Sequence, residues 1–311
     1  MTPPRWQATE DRARAAFLGV AIGDALGATT EFMTPNEIKA AYGVHRKIVG
    51  GGWLYLKPGR VTDDTEMSIC IARGILETGT WDLSAIADRF ADWMRNRPVD
   101  IGTTCARGIR AYIQTGSLTV PYSPWSAGNG AVMRMAPVAL FTLGNRRRLE
   151  ALSLEQAHLT HNHPLSDAAC ITVGKMVQEA ILGAHLHRLK ALALSLVSRH
   201  PIFRFSPYPG RSSAYVVDTL QTVFHHLFSS ATFEDCLIGI VNQGGDADTT
   251  GAIAGMIAGP LYGADTIPRQ WLKRLNPAVR SEVEDLASRL VRRSPTAHSM
   301  KTELRLYPGT E

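Results

Sequence analysis

The 311-residue chain carries 33 basic and 28 acidic side chains, a formal net charge of +5, and is 45% hydrophobic and 20% charged; this excludes a disordered chain and allows a sizeable buried core. The basic excess is spread along the chain apart from Arg146-Arg147-Arg148 and a group with Arg289, Arg292 and Arg293, so an anionic small ligand or an acidic protein is a better expected partner than a nucleic acid. Cys70, Cys105, Cys170 and Cys236 stand far apart with no CxxC, which argues against disulfides and zinc, and the polar stretch Met1 to Arg14 has no signal-peptide character, so a cytoplasmic protein is expected.

Helical periodicity dominates from the start. Phe17, Val20, Ala21 and Asp24-Ala25 mark a first helix in which Gly19, Gly23 and Gly27 recur every four residues. Glycine inside a helix costs on the order of 1 kcal/mol relative to alanine, so three in register require a gain such as close backbone approach. Asp24 reads as a helix-interior residue satisfied by a neighbour, with support of a metal ligand as the rarer role. Residues 44–55, around Gly50-Gly51-Gly52, form the one short strand candidate.

Helices are then predicted at 69–76, 83–94, 104–114, 130–143, 154–159 and 166–199. Further ones follow at 213–228, 233–241, 249–258 and 278–292. Loops rich in Gly, Pro and Ser fall at Gly50-Gly51-Gly52, 119–128 and 201–211, none with the length or bias of an interdomain linker. The expectation is an all-α fold with little or no sheet, a single domain over residues 1–293 and a loosely attached tail over 294–311. Gly251, Gly255 and Gly259 repeat the four-residue spacing of the first helix, so both helices should be buried and central. Asp24, Asp248 and Pro260 keep either from reading as a membrane span.

Two acidic clusters carry the chemistry: Thr62-Asp63-Asp64-Thr65-Glu66 and Asp246-Ala247-Asp248-Thr249-Thr250, each opening a helix. Either alone reads as a cap, and Asp63 with Glu66 fits a capping box. Together, Thr62, Asp63, Asp64, Asp246, Asp248 and Thr249 offer only oxygen, which suits Mg²⁺, Mn²⁺ or Ca²⁺ rather than zinc or copper. Four carboxylates balance two divalent ions. An EF-hand is excluded because Ile257 stands where its bidentate Glu would fall.

Further segments agree with this reading: Gly23-Asp24-Ala25-Leu26-Gly27 leading to Glu31, Gly128-Asn129-Gly130-Ala131-Val132-Met133-Arg134, Leu159-Thr160-His161, and Gly244-Gly245 before Asp246. In order, from about Ala15 to Gly263, the chain resembles the ADP-ribosylglycohydrolase family. Val99-Asp100-Ile101-Gly102-Thr103-Thr104 and the overall length resemble its nitrogenase-regulating members in particular. The resemblance implies an orthogonal helical bundle, two Mn²⁺ or Mg²⁺ ions, and removal of ADP-ribose from an arginine, with dinitrogenase reductase as the target. It further implies a PII-type signalling partner and, through it, reversible association with an ammonium channel at the membrane.

Carried over by position, Thr62, Asp63, Asp64, Asp246, Asp248 and Thr249 match metal ligands. Glu31 matches an acidic residue beside the metals and Asp100 the carboxylate next to the reacting ribose, the two candidate catalytic groups. By sequence alone Asp100 reads more simply as a capping residue. Gly128, Asn129 and Gly130 match a loop around the diphosphate, as a Gly-rich turn into a helix would allow; no Gly-Lys-Ser/Thr follows, so it is not a Walker loop. Gly102 and His161 match substrate-proximal positions, and Tyr215 could bring a ring near the nucleotide. His158 and His163 read as ordinary polar or capping residues. A metal-dependent phosphoesterase, using the same oxygen ligands, is the alternative function.

Overall fold

The computed structural model describes residues 5–297, so most of the expected tail, 298–311, lies outside the described residues. Those described form an all-α fold. In chain order the helices are α1 (Arg5–Gly27), α2 (Pro35–Tyr42), α3 (Asp63–Thr78), α4 (Leu83–Arg95), α5 (Thr103–Thr115), α6 (Ala136–Phe141) and α7 (Arg146–His158). They continue as α8 (Pro164–Ile181), α9 (Leu186–Arg199), α10 (Val216–Ser229), α11 (Phe233–Val241), α12 (Ala247–Tyr262), α13 (Arg269–Arg274) and α14 (Pro277–Val291).

The two glycine-striped helices, α1 and α12, lie at the centre and meet backbone to backbone. A Cβ built on Gly23 would sit 2.1 Å from the Gly251 carbonyl oxygen, and one on Gly19 would sit 2.0 Å from that of Gly255. Phe17, Val20, Ile22 and Leu26 of α1 and Ile253, Met256 and Ile257 of α12 are fully buried. The glycines' helical cost is therefore offset by contact area along the whole seam. That seam fixes where α12 begins relative to α1, and so where the second acidic cluster stands relative to Asp24.

Several expected elements change. The helix predicted over 130–143 is only α6, and Gly130 to Arg134 are turns. Pro137, at the start of α6, has no N–H and its ring would clash with the Met133 carbonyl in a helix running from Gly130, so it fits the first turn of a helix better than an interior. The helix over 166–199 divides into α8 and α9 at Gly183, whose φ of +90° is outside the helical range. Helix α7 starts earlier than its apolar pattern, because Asn145 accepts from the Arg148 N–H and lets the basic triplet form the first turn, with Arg146 and Arg147 exposed and Arg148 half-buried.

The strand candidate 44–55 is loop, with one isolated bridge between Gly51 and Leu56. Gly50, Gly51 and Gly52 all have positive φ, which no extended strand accommodates. Ser294 and Ala297 are buried, and the Thr296 N–H donates to the Leu143 carbonyl at 3.1 Å, so this start of the C-terminal stretch packs beside α6. All four cysteines are free and buried. Among the described residues no helix is long and apolar enough to cross a membrane.

Candidate metal centre and its cleft

Asp24 organises the first cluster. It is fully buried on α1 and accepts the Thr62 N–H and hydroxyl, each at 3.0 Å, and the Thr65 N–H at 3.2 Å and hydroxyl at 2.5 Å. These bonds pin the first turn of α3, which carries Asp63 and Asp64, to α1. The expected capping box does not form: Thr62 is the cap residue, and Glu66 instead accepts from Arg60 at 2.6 Å and the Trp93 indole at 2.8 Å. Asp63 is released to reach α5, where it accepts the Gly102 N–H at 3.1 Å.

The second cluster is set by Gly244-Gly245. Their φ values are +65° and +61°, and a Cβ on either would come within 1.8 Å of a backbone oxygen, that of Met33 or Ser212. The Phe32 N–H donates to Gly245 O at 2.6 Å and the Gly245 N–H to Met33 O at 2.9 Å, which brings Glu31 beside the start of α12. Asn129 Nδ2 donates to Asp246 at 2.5 Å and to Thr219 at 3.0 Å. The hydroxyls of Thr62 and Thr249 both point to Asp64 Oδ2, at 3.2 and 3.4 Å, joining the two clusters.

Carboxylate oxygens of Glu31, Asp100 and Asp248 lie within 4.8 Å of one another. Glu31 and Asp100, assigned by resemblance to catalysis, thus sit close enough to Asp248 to share a cation with it. Burial raises all of these groups. Asp63 is pushed well above its ordinary range by burial and Asp100, Asp64 by burial and Asp24, and Asp248 by burial and Glu31. Glu31 rises to about 7 through burial, against the Trp53 indole N–H that donates to it at 2.6 Å. No arginine or lysine pairs with any of them among the described residues, and Asp64 Oδ1 is buried without a hydrogen-bond partner. An orphaned anionic oxygen among mutually repelling carboxylates, at the positive ends of α3 and α12, is a fit for hard divalent cations.

This arrangement predicts how stability responds to metal and pH. Folded-state pKa values raised above 3.8 or 4.5, to about 6 for Asp24 and about 7 for Glu31, give stability that is complete below those starting values and lost as pH rises through the folded ones. Bound cations replace the protons and cancel the loss. The gain in melting temperature on adding Mn²⁺ or Mg²⁺ to chelator-treated protein should therefore widen from pH 5 to pH 8. Equal gains at both pH values would show that the carboxylates are not the coupled group.

Glu31, Asp63, Asp100, Asp246, Asp248 and Thr249 line one cavity of about 370 Å³. Gly102, Gly128, Asn129, Gly130 and His161 line it too, while Thr62 and Asp64 are buried outside the lining. Tyr215 is outside the lining and 38% exposed, its backbone bridged to Gly128. The glycine loop does not lead into a helix start as expected, because the chain turns on itself through Arg134 and the Asn129 N–H is taken by Ala214 O at 3.0 Å. His158 pairs with Asp167 at 3.0 Å, and His163 caps α8. The sequence reading missed Phe32 and Trp53, exposed aromatics on the cleft wall with ring centroids 5.2 Å apart.

Comparison with known proteins agrees with this architecture. Residues 5–299 match the family model for ADP-ribosylglycohydrolase. The chain is 56% identical to the ADP-ribosyl-[dinitrogen reductase] glycohydrolase of Rhodospirillum rubrum, over 91% of this chain and 95% of that one. It is 32% identical to the ADP-ribosylarginine hydrolase Tri1 of Serratia proteamaculans (strain 568), over 92% of this chain and 80% of that relative. A solved structure, an ADP-ribosylglycohydrolase-related protein complex, superposes with a TM-score of 0.80 at 34% identity, covering 92% of this chain and 99% of the other. With the match spanning the seam of α1 and α12, both acidic clusters and the cleft between them, the chain belongs to the ADP-ribosylglycohydrolase family.

Proposed function

We propose that this protein hydrolyses the bond between ADP-ribose and an arginine side chain of dinitrogenase reductase and so restores nitrogenase activity. The observation that carries the reading is the 56% identity, along nearly the full length of both chains, to a relative named for that reductase. Thr62, Asp63, Asp64, Asp246, Asp248 and Thr249 would hold two Mg²⁺ or Mn²⁺ ions, which when bound supply Lewis-acid polarisation of a ribose hydroxyl or a water.

The chain's own groups supply the rest. Asp100, its carboxyl raised by burial, and Glu31, raised to about 7, are the groups that would take or give a proton as the C1–N bond breaks with oxocarbenium character. Gly102, Gly128, Asn129, Gly130 and His161 form the walls against which the nucleotide would rest, with Tyr215 at the margin. Partnership with a PII-type protein, and through it with an ammonium channel that recruits an otherwise cytoplasmic enzyme to the membrane, belongs to the same proposal and is supported by the resemblance of Val99 to Thr104.

The test is to incubate the purified protein with arginine-ADP-ribosylated dinitrogenase reductase and Mn²⁺. Intact ADP-ribose and unmodified reductase should appear together. Release of AMP or phosphate would instead support the phosphoesterase, and binding of ADP-ribose without product would leave a recognition protein.

A further inference from the structure

Arg134 is completely buried and has no carboxylate partner among the described residues. Burying an unpaired charge is costly unless its donors are satisfied. Here neutral acceptors do so: Nε donates to Gln156 Oε1 at 2.7 Å, and Nη2 donates to Gln156 O and to Thr160 Oγ1, both at 2.8 Å. Nη1 faces the sulfurs of Met67 and Cys105 at 3.9 and 3.8 Å, and the guanidinium lies 4.9 Å from the centre of the Phe90 ring. Gln156 Nε2 donates to Ala131 O at 3.0 Å, which fixes the amide so that its oxygen meets Arg134.

The consequence falls on His161. Thr160 Oγ1 lies 2.7 Å from His161 Nδ1 and already accepts from Arg134. Among the described residues its own proton has His161 Nδ1 as acceptor; were Nδ1 protonated instead, the hydroxyl proton would be buried without a partner. Nδ1 is therefore the acceptor and the ring proton sits on Nε2. Nε2 faces the glycine turn, where a Cβ on Gly128 would lie 3.0 Å from it, and His161 lines the cleft. Burial together with Arg134 and Arg107 lowers the imidazole pKa to about 3, which keeps the ring neutral.

We propose that Arg134 and Thr160 are positioning residues that lock His161 as the Nε2–H tautomer, so that it presents a neutral N–H donor to an oxygen of the ligand beside the Gly128–Gly130 turn. The ligand part rests on the reading of the cleft as an ADP-ribose site. A purely structural Arg134, knitting α3, α4, α5 and α7 together, would not require one tautomer.

The experiment reads the tautomer directly, by imidazole ¹⁵N–¹H correlation spectra of histidine-labelled, metal-loaded protein, with the His161 signals identified by their loss in His161→Gln. The expected result is protonated Nε2 and unprotonated Nδ1 in the parent and in Thr160→Ser, with a mixed or reversed pattern in Thr160→Val and Arg134→Lys. Free ADP-ribose, titrated calorimetrically, should bind Thr160→Val about tenfold more weakly than the parent, the scale of one hydrogen bond, and Thr160→Ser almost normally. A parent spectrum with Nδ1 protonated overturns the proposal even if no variant folds, and so does a tautomer change that leaves ADP-ribose affinity intact. Failure of the parent to bind ADP-ribose would instead remove the ligand reading while the tautomer result stands by itself.

Discussion

Asp100→Asn is expected to keep its fold and its metal and to lose roughly 10²- to 10⁴-fold in turnover of ADP-ribosylarginine, the usual worth of a general acid–base group. The geometry supports a group with one oxygen tied down and one available: Oδ1 accepts the neighbouring Ile101 N–H at 2.8 Å. A carboxyl oxygen of Asp100 stands within 4.8 Å of those of Glu31 and Asp248. That closeness gives a second way to lose activity, through a missing metal contact, so metal content and turnover must be measured on the same samples. Asp246→Ala supplies the contrast. Its carboxylate lies at the start of α12 and is held by Asn129, so its removal should lower metal occupancy, and excess Mn²⁺ should restore part of the activity there but not in Asp100→Asn. Near-normal hydrolysis by Asp100→Asn with full metal content would remove Asp100 from proton handling and leave Glu31 to be tested next.

The parts of the fold legible in the sequence are those written in local spacing. Glycines at every fourth position announce a close helix seam without any knowledge of the partner, and carboxylates beside threonines at two helix starts announce oxygen chemistry. What escaped depends on distant partners. Asp24 looks like any buried helical aspartate until Thr62 and Thr65, 38 and 41 residues on, are seen to donate to it. Glu66 satisfies the letters of a capping box, but Arg60 and Trp93 claim its oxygens. Trp53 reaches Glu31 from a loop of positive-φ glycines, where no periodicity exists to be read. Helix α2 shows the opposite case: Thr34 and Glu37 form a true capping box, yet the helix buries Ile38 alone and so has no apolar pattern. Pro137 and Gly183 were visible as breakers, and the apolar runs around them outweighed the signal.

Gly255→Ala should destabilise the protein by more than an ordinary overpacked core position, for which about 1–3 kcal/mol is typical. The added methyl would meet the Gly19 carbonyl oxygen at 2.0 Å and its carbon at 2.5 Å. Side chains can swing aside, but a helical carbonyl cannot without breaking its ladder, so α1 and α12 must separate along the seam. Gly23→Ala meets the same obstacle in the Gly251 carbonyl, at 2.1 Å. Because the first added carbon already collides, leucine at either position should cost at least as much as alanine. The separation also moves Asp24 and Thr62 on one side relative to Asp246 and Asp248 on the other, so weakened Mn²⁺ binding should accompany the lower denaturation midpoint. Gly116→Ala is the control: its φ of +71° carries conformational strain, but no atom lies within 4 Å of the new carbon, so it should cost less and leave metal affinity unchanged. If Gly255→Ala and Gly23→Ala both match this control in midpoint and in Mn²⁺ affinity, the helices do not meet backbone to backbone in solution, and the seam is not what aligns the two acidic clusters.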